Sequence, residues 1–222
     1  VPKKVSAYAL PELGKDIIGL MDHFGIEKVN LTGHDWGAFV AWGMAITFPE
    51  RVKKLAILNV PHPLAMSKFL RKSPKQTLKS LYIGFFQIPG LADWLMGLGN
   101  FAGAINMLRA SGKRSTFSEA DLAGYREAYS RAGGLTGMIN WYRALAQNRP
   151  SMPGKVRLEM PVLIQWGRQD MALSAEMAEE SLKYCKNGRL IFFDDATHWV
   201  QHDRAEDVTR ELLNFFANTE HK

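Results

Sequence analysis

The sequence predicts an α/β chain, a mainly parallel sheet with a block of helices inserted into it. Three observations predict it. Residues 1–60 read helix, strand, turn, helix, strand, the rhythm of parallel strands joined by crossovers. Residues 61–160 carry helical patterns rich in glycine, methionine and aromatic residues, with no convincing strand. Residues 161–222 return to strand, helix, strand, helix. The chain therefore divides into the first part of a core (1–60), a helical lid (61–160) and the second part of the core (161–222).

Each element has a physical signature. Pro11 to Phe24 places Leu13, Ile17, Leu20, Met21 and Phe24 on one helical face, and Gly25 is its stop signal. Lys28 to Thr32 is a short strand built on Val29 and Leu31. Gly33-His34-Asp35-Trp36-Gly37 follows as a tight turn, and Ala38 to Thr47 as a helix of small residues ending near Phe48-Pro49. Lys54 to Asn59 is the next apolar strand. Leu81 to Leu108 is apolar but broken by Pro89, Asp93 and several glycines, so it reads as buried or pocket-lining helix and not as a membrane span. Val162 to Trp166 is a strand, Ser174 to Tyr184 a helix, Arg189 to Phe193 the last strand and Ala205 to Phe216 the closing helix. A helical insertion of this size in an α/β chain usually covers a site.

Composition sets outer bounds. The 222 residues are 46% hydrophobic and 23% charged, ordinary for a soluble globular protein and enough for one sizeable core with a lid. One cysteine, Cys185, excludes an intramolecular disulfide and fits a reducing, cytoplasmic compartment. Much of the net charge of +6 sits in Lys68, Arg71, Lys72, Lys75 and Lys79. That run reads as a solvated helix face, with peripheral contact to an anionic membrane surface as the sharper alternative. Nothing points to nucleic acid, because no binding motif occurs and aromatics do not alternate with basic residues. No signal peptide is visible, and a start at Val1 instead of methionine points to a true N-terminus elsewhere.

Gly33-x-Asp35-x-Gly37, lying between a strand and a helix, has the form of the nucleophile elbow of the α/β-hydrolase fold. The nucleophile sits on a strained turn, so its neighbours must be small, and it faces a helix N-terminus that favours negative charge. Its identity narrows the reaction. A serine opening an epoxide or displacing a halide would end as a stable ether. A carboxylate forms an ester that activated water can cleave, whereas its attack on an ester would give an anhydride. Asp35 thus argues for an epoxide or an alkyl halide. In this fold the acid and then the histidine follow the nucleophile after late strands. Asp170, behind Gly167-Arg168-Gln169, is the expected acid, and His198, behind the last strand, the expected base. Asp194 and Asp195 are rival acids too close in sequence to His198. His34 reads as support for the elbow, and His62 and His202 as surface or loop histidines.

With these residues in place, the sequence resembles the epoxide hydrolase family over essentially its whole length. The resemblance rests on the elbow, the Asp35/Asp170/His198 triad, Asn59-Val60-Pro61-His62-Pro63 and two lid motifs. These are Tyr82-Ile83-Gly84-Phe85-Phe86-Gln87-Ile88-Pro89-Gly90 and Asn140-Trp141-Tyr142-Arg143. It implies that Tyr82 and Tyr142 donate hydrogen bonds to the epoxide oxygen, that Asp35 forms a covalent ester, and that His198, supported by Asp170, activates water. The Trp36 backbone N–H would serve as oxyanion donor, and its indole, Phe85 and Phe86 would line the pocket. Tyr8, Tyr125, Tyr129 and Tyr184 read as packing residues. The implied substrate is a small hydrophobic epoxide, with water as co-substrate and no metal or organic cofactor.

The sequence departs from the family in one respect. Members carry several strands before the helix at Pro11 and a His-Gly-x-Pro loop with a further oxyanion donor, and neither occurs here. The resemblance therefore implies that the N-terminal part of the sheet is missing and that the chain is a fragment, a truncated frame or one piece of a cleaved enzyme. Two rival functions remain open. A haloalkane dehalogenase shares the aspartate and could use Trp36 for halide. A binding protein on a hydrolase scaffold would keep the fold without turnover. The oligomeric state is not fixed by the sequence.

Overall fold

The computed structural model describes residues 1–147 and 157–217. Four strands, β1 (Val29–His34), β2 (Val52–Leu58), β3 (Leu158–Gly167) and β4 (Cys185–Phe193), form one parallel sheet in the order β1-β2-β3-β4. Parallel pairing forces crossovers, and helices supply them. Helix α1 (Leu10–His23) leads into β1, and α2 (Trp36–Thr47) joins β1 to β2. The lid runs from β2 to β3 as α3 (Pro63–Lys72), α4 (Pro74–Lys79), α5 (Tyr82–Phe86), α6 (Leu91–Ala110), α7 (Glu119–Ser130) and α8 (Gly134–Gln147). Helix α9 (Glu176–Leu182) joins β3 to β4, and α10 (Val200–Asp203) and α11 (Ala205–Ala217) follow.

The core lies where α2 and α9 cover the sheet. Trp42, Leu55, Ile57, Ile164, Trp166 and Met177 are all fully buried there. Strands β2 and β3 are apolar on both faces, as a covered parallel sheet requires. In β1 the pattern alternates and Asn30 and Thr32 are exposed; among the described residues this strand pairs only with β2 and forms an edge.

Several boundaries differ from the sequence reading for identifiable reasons. Strand β3 starts at Leu158, so residues 158–160 of the expected lid belong to the sheet, and residues 148–156 of that lid lie outside the described ones. Pro161 masks the early start because it lacks an N–H; it sits at a register shift, where a proline is tolerated. Strand β4 starts at Cys185, hidden by polar Lys186, Asn187 and Gly188.

The apolar run 81–108 is not uniformly buried as expected. Helix α6 breaks at Leu98–Phe101, where Gly99, Asn100 and Phe101 have positive φ. Leu81, Leu91, Trp94, Leu95 and Leu98 lie exposed on the lid surface. No helix among the described residues is long and apolar enough to cross a membrane.

His62 is another correction, since it is fully buried and not on the surface. Its Nδ1 accepts the Leu64 N–H at the start of α3, and its ring stacks on Tyr184 at 4.5 Å. In the basic run, Lys68 pairs with Glu180 at 2.7 Å and Lys79 bonds to the Asp170 carbonyl at 2.9 Å, leaving Arg71, Lys72 and Lys75 exposed. Cys185 is buried at the start of β4, and burial pushes its thiol up to about 12.

Candidate active site

The C-terminal ends of three strands deliver the three expected groups to one place. Open parallel sheets build their sites at this edge. Asp35 follows β1, Asp170 follows β3 and His198 follows β4. Asp35 has φ 49° and ψ −127°, a conformation L residues rarely adopt, and such strain costs about 1–3 kcal/mol. Gly33 makes the turn sterically feasible, because a Cβ there would lie 2.4 Å from the Gly37 carbonyl oxygen. Gly37 is different. A Cβ there would meet nothing within 4 Å, so the steric demand falls on the first glycine alone.

The histidine stands between two carboxylates. Its Nδ1 lies 2.8 Å from Asp170 Oδ2 and its Nε2 lies 3.7 Å from Asp35 Oδ1. The Asp170 carboxylate is completely enclosed and fully bonded: Oδ1 accepts the N–H groups of Ala172 and Leu173, each at 2.8 Å, and Oδ2 also accepts Asn59 Nδ2 at 2.9 Å. Asp35 is ringed by protein, yet 43% of its side chain remains exposed.

The electrostatics follow from this arrangement. Burial alone would lower His198, but the charge and hydrogen bonds of Asp170 and Asp35 overcome it and lift the imidazole to about 10. Burial would raise Asp170, but His198, Asn59 and the Leu173 N–H hold it below the usual carboxylate value. Burial would likewise raise Asp35, and His198 and the Trp36 backbone N–H offset this, holding it below the usual carboxylate value. The two carboxylates thus favour the protonated form of the imidazole between them. His34, one residue before Asp35, bonds through Nε2 to the His198 carbonyl oxygen at 2.9 Å. Burial, and then the charge of His198, drop it to about 4, so it stays neutral.

The lid brings Tyr82 and Tyr142 together across the cleft. Their ring centroids are 5.9 Å apart and the rings meet edge to face. The Trp36 indole packs edge-on against Tyr142, with ring centroids at 4.9 Å. Burial, and then the negative charge of Asp35, raise Tyr82 to about 12 and Tyr142 well above the usual phenol value. Both phenols remain protonated and able to donate. Phe86 is buried behind them, 4.7 Å from the Tyr142 ring, and Phe85 packs beside it at 5.5 Å. Helices α5 and α8 are tied together next to the phenols. Gln87 Nε2 donates to the Tyr142 carbonyl at 3.0 Å, Arg143 Nε donates to the Phe86 carbonyl at 3.0 Å, and Arg143 also pairs with Asp93.

Sequence reasoning gave no role to Asn59, Arg143 or Gln87. Asn59 is fully buried with φ 51°, binds Asp170, and accepts the Gly167 N–H at 2.9 Å. An asparagine closing an apolar strand is a usable signal, since asparagine tolerates positive φ better than most residues. Arg143 and Gln87 act through main-chain carbonyls, which leave no partner residue type to look for.

The chain matches the α/β hydrolase fold family over residues 2–205 and belongs to it. Within that family its sequence and structure are epoxide-hydrolase-like. It is 37% identical to YfhM, an AB hydrolase superfamily protein of Bacillus subtilis (strain 168), over 98% of this chain and 76% of that one. It is 34% identical to epoxide hydrolase 4 of Homo sapiens over 97% of this chain and 60% of that protein, so it spans about three-fifths of that relative's length. A Bacillus megaterium epoxide hydrolase solved in complex with an inhibitor superposes with a TM-score of 0.88 at 27% identity, covering 98% of this chain and 79% of the other. A mutant of a Bacillus megaterium epoxide hydrolase, with a TM-score of 0.87 and 27% identity over 98% of this chain and 79% of that one, was solved with its product (R)-3-[1]naphthyloxy-propane-1,2-diol.

Proposed function

We propose that these residues carry the machinery that hydrolyses an epoxide to a vicinal diol. The observation that carries this reading is a pair of adjoining phenols, Tyr82 and Tyr142, close enough to Asp35 to feel its charge. Ring opening needs a carboxylate to attack carbon and donors to receive the developing charge on oxygen. Asp35 forms the C–O bond as the ring C–O bond breaks, and a phenol passes its proton to the alkoxide. The imidazolium of His198 makes good that proton. Alkylation also removes the Asp35 charge, which adds to the larger pull of Asp170 in favouring protonated His198, so the first step makes His198 a readier base for the second. Neutral His198, held by Asp170, then takes a proton from water as the water oxygen attacks the Asp35 ester carbonyl. The Trp36 backbone N–H supports the oxyanion. His198 returns that proton to the departing diol oxygen and takes up the proton of the regenerated carboxyl group, which restores the starting state.

The exposed apolar surface of the lid and the aromatic wall of Trp36, Phe85 and Phe86 favour a hydrophobic substrate, of which an aryl glycidyl ether is the natural first choice. The test is diol formation from such an ether by the wild type and by Asp35→Asn, followed by a single turnover in ¹⁸O-labelled water. Expected are diol from the wild type only, an unlabelled diol in the first turnover, and label in Asp35. Diol from an Asp35→Asn sample shown by mass to be free of reverted aspartate would overturn the assignment of Asp35. A preference for small polar epoxides would sink the substrate reading. The Trp36 indole beside the nucleophile favours one second reading, halide displacement from a chlorinated alkane. Chloride release with no diol formation would establish it in place of the first. Saturable binding of the ether with neither product nor adduct would mark a binding protein.

A further inference from the structure

Helix α4 makes an attachment that neither the fold nor the triad requires. Gln76 is completely buried although α4 lies in the lid. Its Nε2 donates to the Ala172 carbonyl at 2.9 Å and to Ser80 Oγ at 3.1 Å, and its Oε1 accepts the Ser174 N–H at 3.0 Å. One turn further on, Lys79 Nζ donates to the Asp170 carbonyl at 2.9 Å. Three of these partners, Asp170, Ala172 and Ser174, lie in the segment 170–174, whose inner side is already held by the Asp170 carboxylate through Ala172 and Leu173. This segment is thus gripped from the site side by its own acid and from the lid side by α4. Three residues beyond Lys79 stands Tyr82, at the start of α5. The two groups that belong to different halves of the reaction are therefore joined by one short stretch of chain.

We propose that Gln76 and Lys79 are positioning residues, a clasp that seats α4 on the acid segment and thereby holds the Tyr82 hydroxyl over Asp35. The roles of Tyr82 and Asp35 in this statement rest on the epoxide reading; the clasp rests on its own contacts. A helix of six residues has too few internal hydrogen bonds to hold its place alone, so side-chain ties decide where it sits. Gln76 suits the task because its amide satisfies one donor and one acceptor of an irregular segment at once. The charged groups facing Lys79 are Asp170, Glu176 and Lys75. Burial lowers Lys79, with Asp170 and Glu176 pulling the other way.

The test reads Tyr82 itself. The six tyrosines are replaced by 3-fluorotyrosine, and the Tyr82 ¹⁹F signal is assigned by its loss in Tyr82→Phe. In Lys79→Met, a half-buried position where folding is retained, the Tyr82 signal shifts and broadens, while Tyr8 and Tyr184 stay in place. Lys79→Arg restores it. Gln76→Met has the larger effect on the same signal. An unchanged Tyr82 signal in folded Lys79→Met overturns the proposal. In single-turnover kinetics, Lys79→Met slows ester formation on the order of tenfold, as displacement of a donor by a fraction of an ångström would. The same substitution has no effect on ester formation in the Tyr82→Phe background. A loss that persists undiminished there shows that Lys79 acts through something other than Tyr82, and overturns the clasp. If no ester forms with any epoxide, the functional reading fails, and the ¹⁹F result still decides the clasp.

Discussion

The Asp35/Asp170/His198 triad and the two phenols, to which the proposed function gives comparable chemical work, rest on foundations of different kinds. Asp35, Asp170 and His198 each follow the end of a strand, so the hydrogen-bonded ladder of the sheet sets their positions. Tyr82 and Tyr142 stand on short or glycine-containing helices held by side-chain bonds to main-chain carbonyls, from Gln87, Arg143 and Lys79. The sheet supplies positional accuracy through many cooperative bonds, and the lid through a few replaceable ones. Single substitutions away from the reacting groups should therefore disturb ring opening more readily than ester hydrolysis.

The sharpest separation of the two regions comes from His198→Gln. It should leave ester formation measurable and reduce steady-state turnover by about 10³-fold or more, with the Asp35 adduct accumulating to detection by mass spectrometry. Rapid loss of the adduct in that variant would assign water activation to another group. Tyr82→Phe and Tyr142→Phe should each slow ring opening by about 10²-fold, the usual scale for losing one donor to a developing oxyanion, and leave hydrolysis of a preformed ester unchanged. Equal effects on both half-reactions would show that the lid and the core do not divide the work in this way.

Next in size is Arg143→Met. It removes the ties to Phe86 and Asp93, and a cost of about 2 kcal/mol is expected, below the full penalty for a buried pair because both side chains retain some solvent contact. Calorimetry measures that cost, and burst kinetics should show slower ring opening in the same variant. The smallest effect concerns acid. His34 and His62 both have values dropped to about 4 by burial, while the unfolded chain binds their protons near 6.5. Their contribution to stability is fully present above pH 6.5 and is lost as the pH falls toward 4. His62→Phe should reduce the slope of stability against pH in that window by at most one proton, about 1.4 kcal/mol per pH unit. The lid between residues 63 and 147 contains no histidine, so hydrogen exchange at pH 5 should show loosening in the core first.

The same contrast explains what the sequence made legible. The strand-turn-helix context around Gly33 and Asp35, and the strands before Asp170 and His198, leave local patterns that can be read in order. The lid tyrosines stand in no such pattern and were reached only through the resemblance of their flanking segments. His62 does lie in the loop before α3, but the polar ring beside prolines hides its burial, where it caps α3 and stacks on Tyr184. The stripe Leu91, Trp94, Leu95 and Leu98 misled for the opposite reason, since helical spacing shows that apolar side chains share a face but not what that face meets. Gln76 leaves no signal because its partners are mostly main-chain groups of a distant segment, whereas Asn59 leaves one in its place at the end of an apolar strand.

Cys185 gives this protein a clock of its own. As the sole thiol, enclosed at the root of β4 and held up to about 12, it can be alkylated only when that part of the sheet opens. Where closing outpaces the reagent, the labelling rate is the rate for a free thiol multiplied by the fraction of molecules open. One mass measurement over time therefore weighs the stability of the sheet for any variant of the lid, without denaturant and without catalysis.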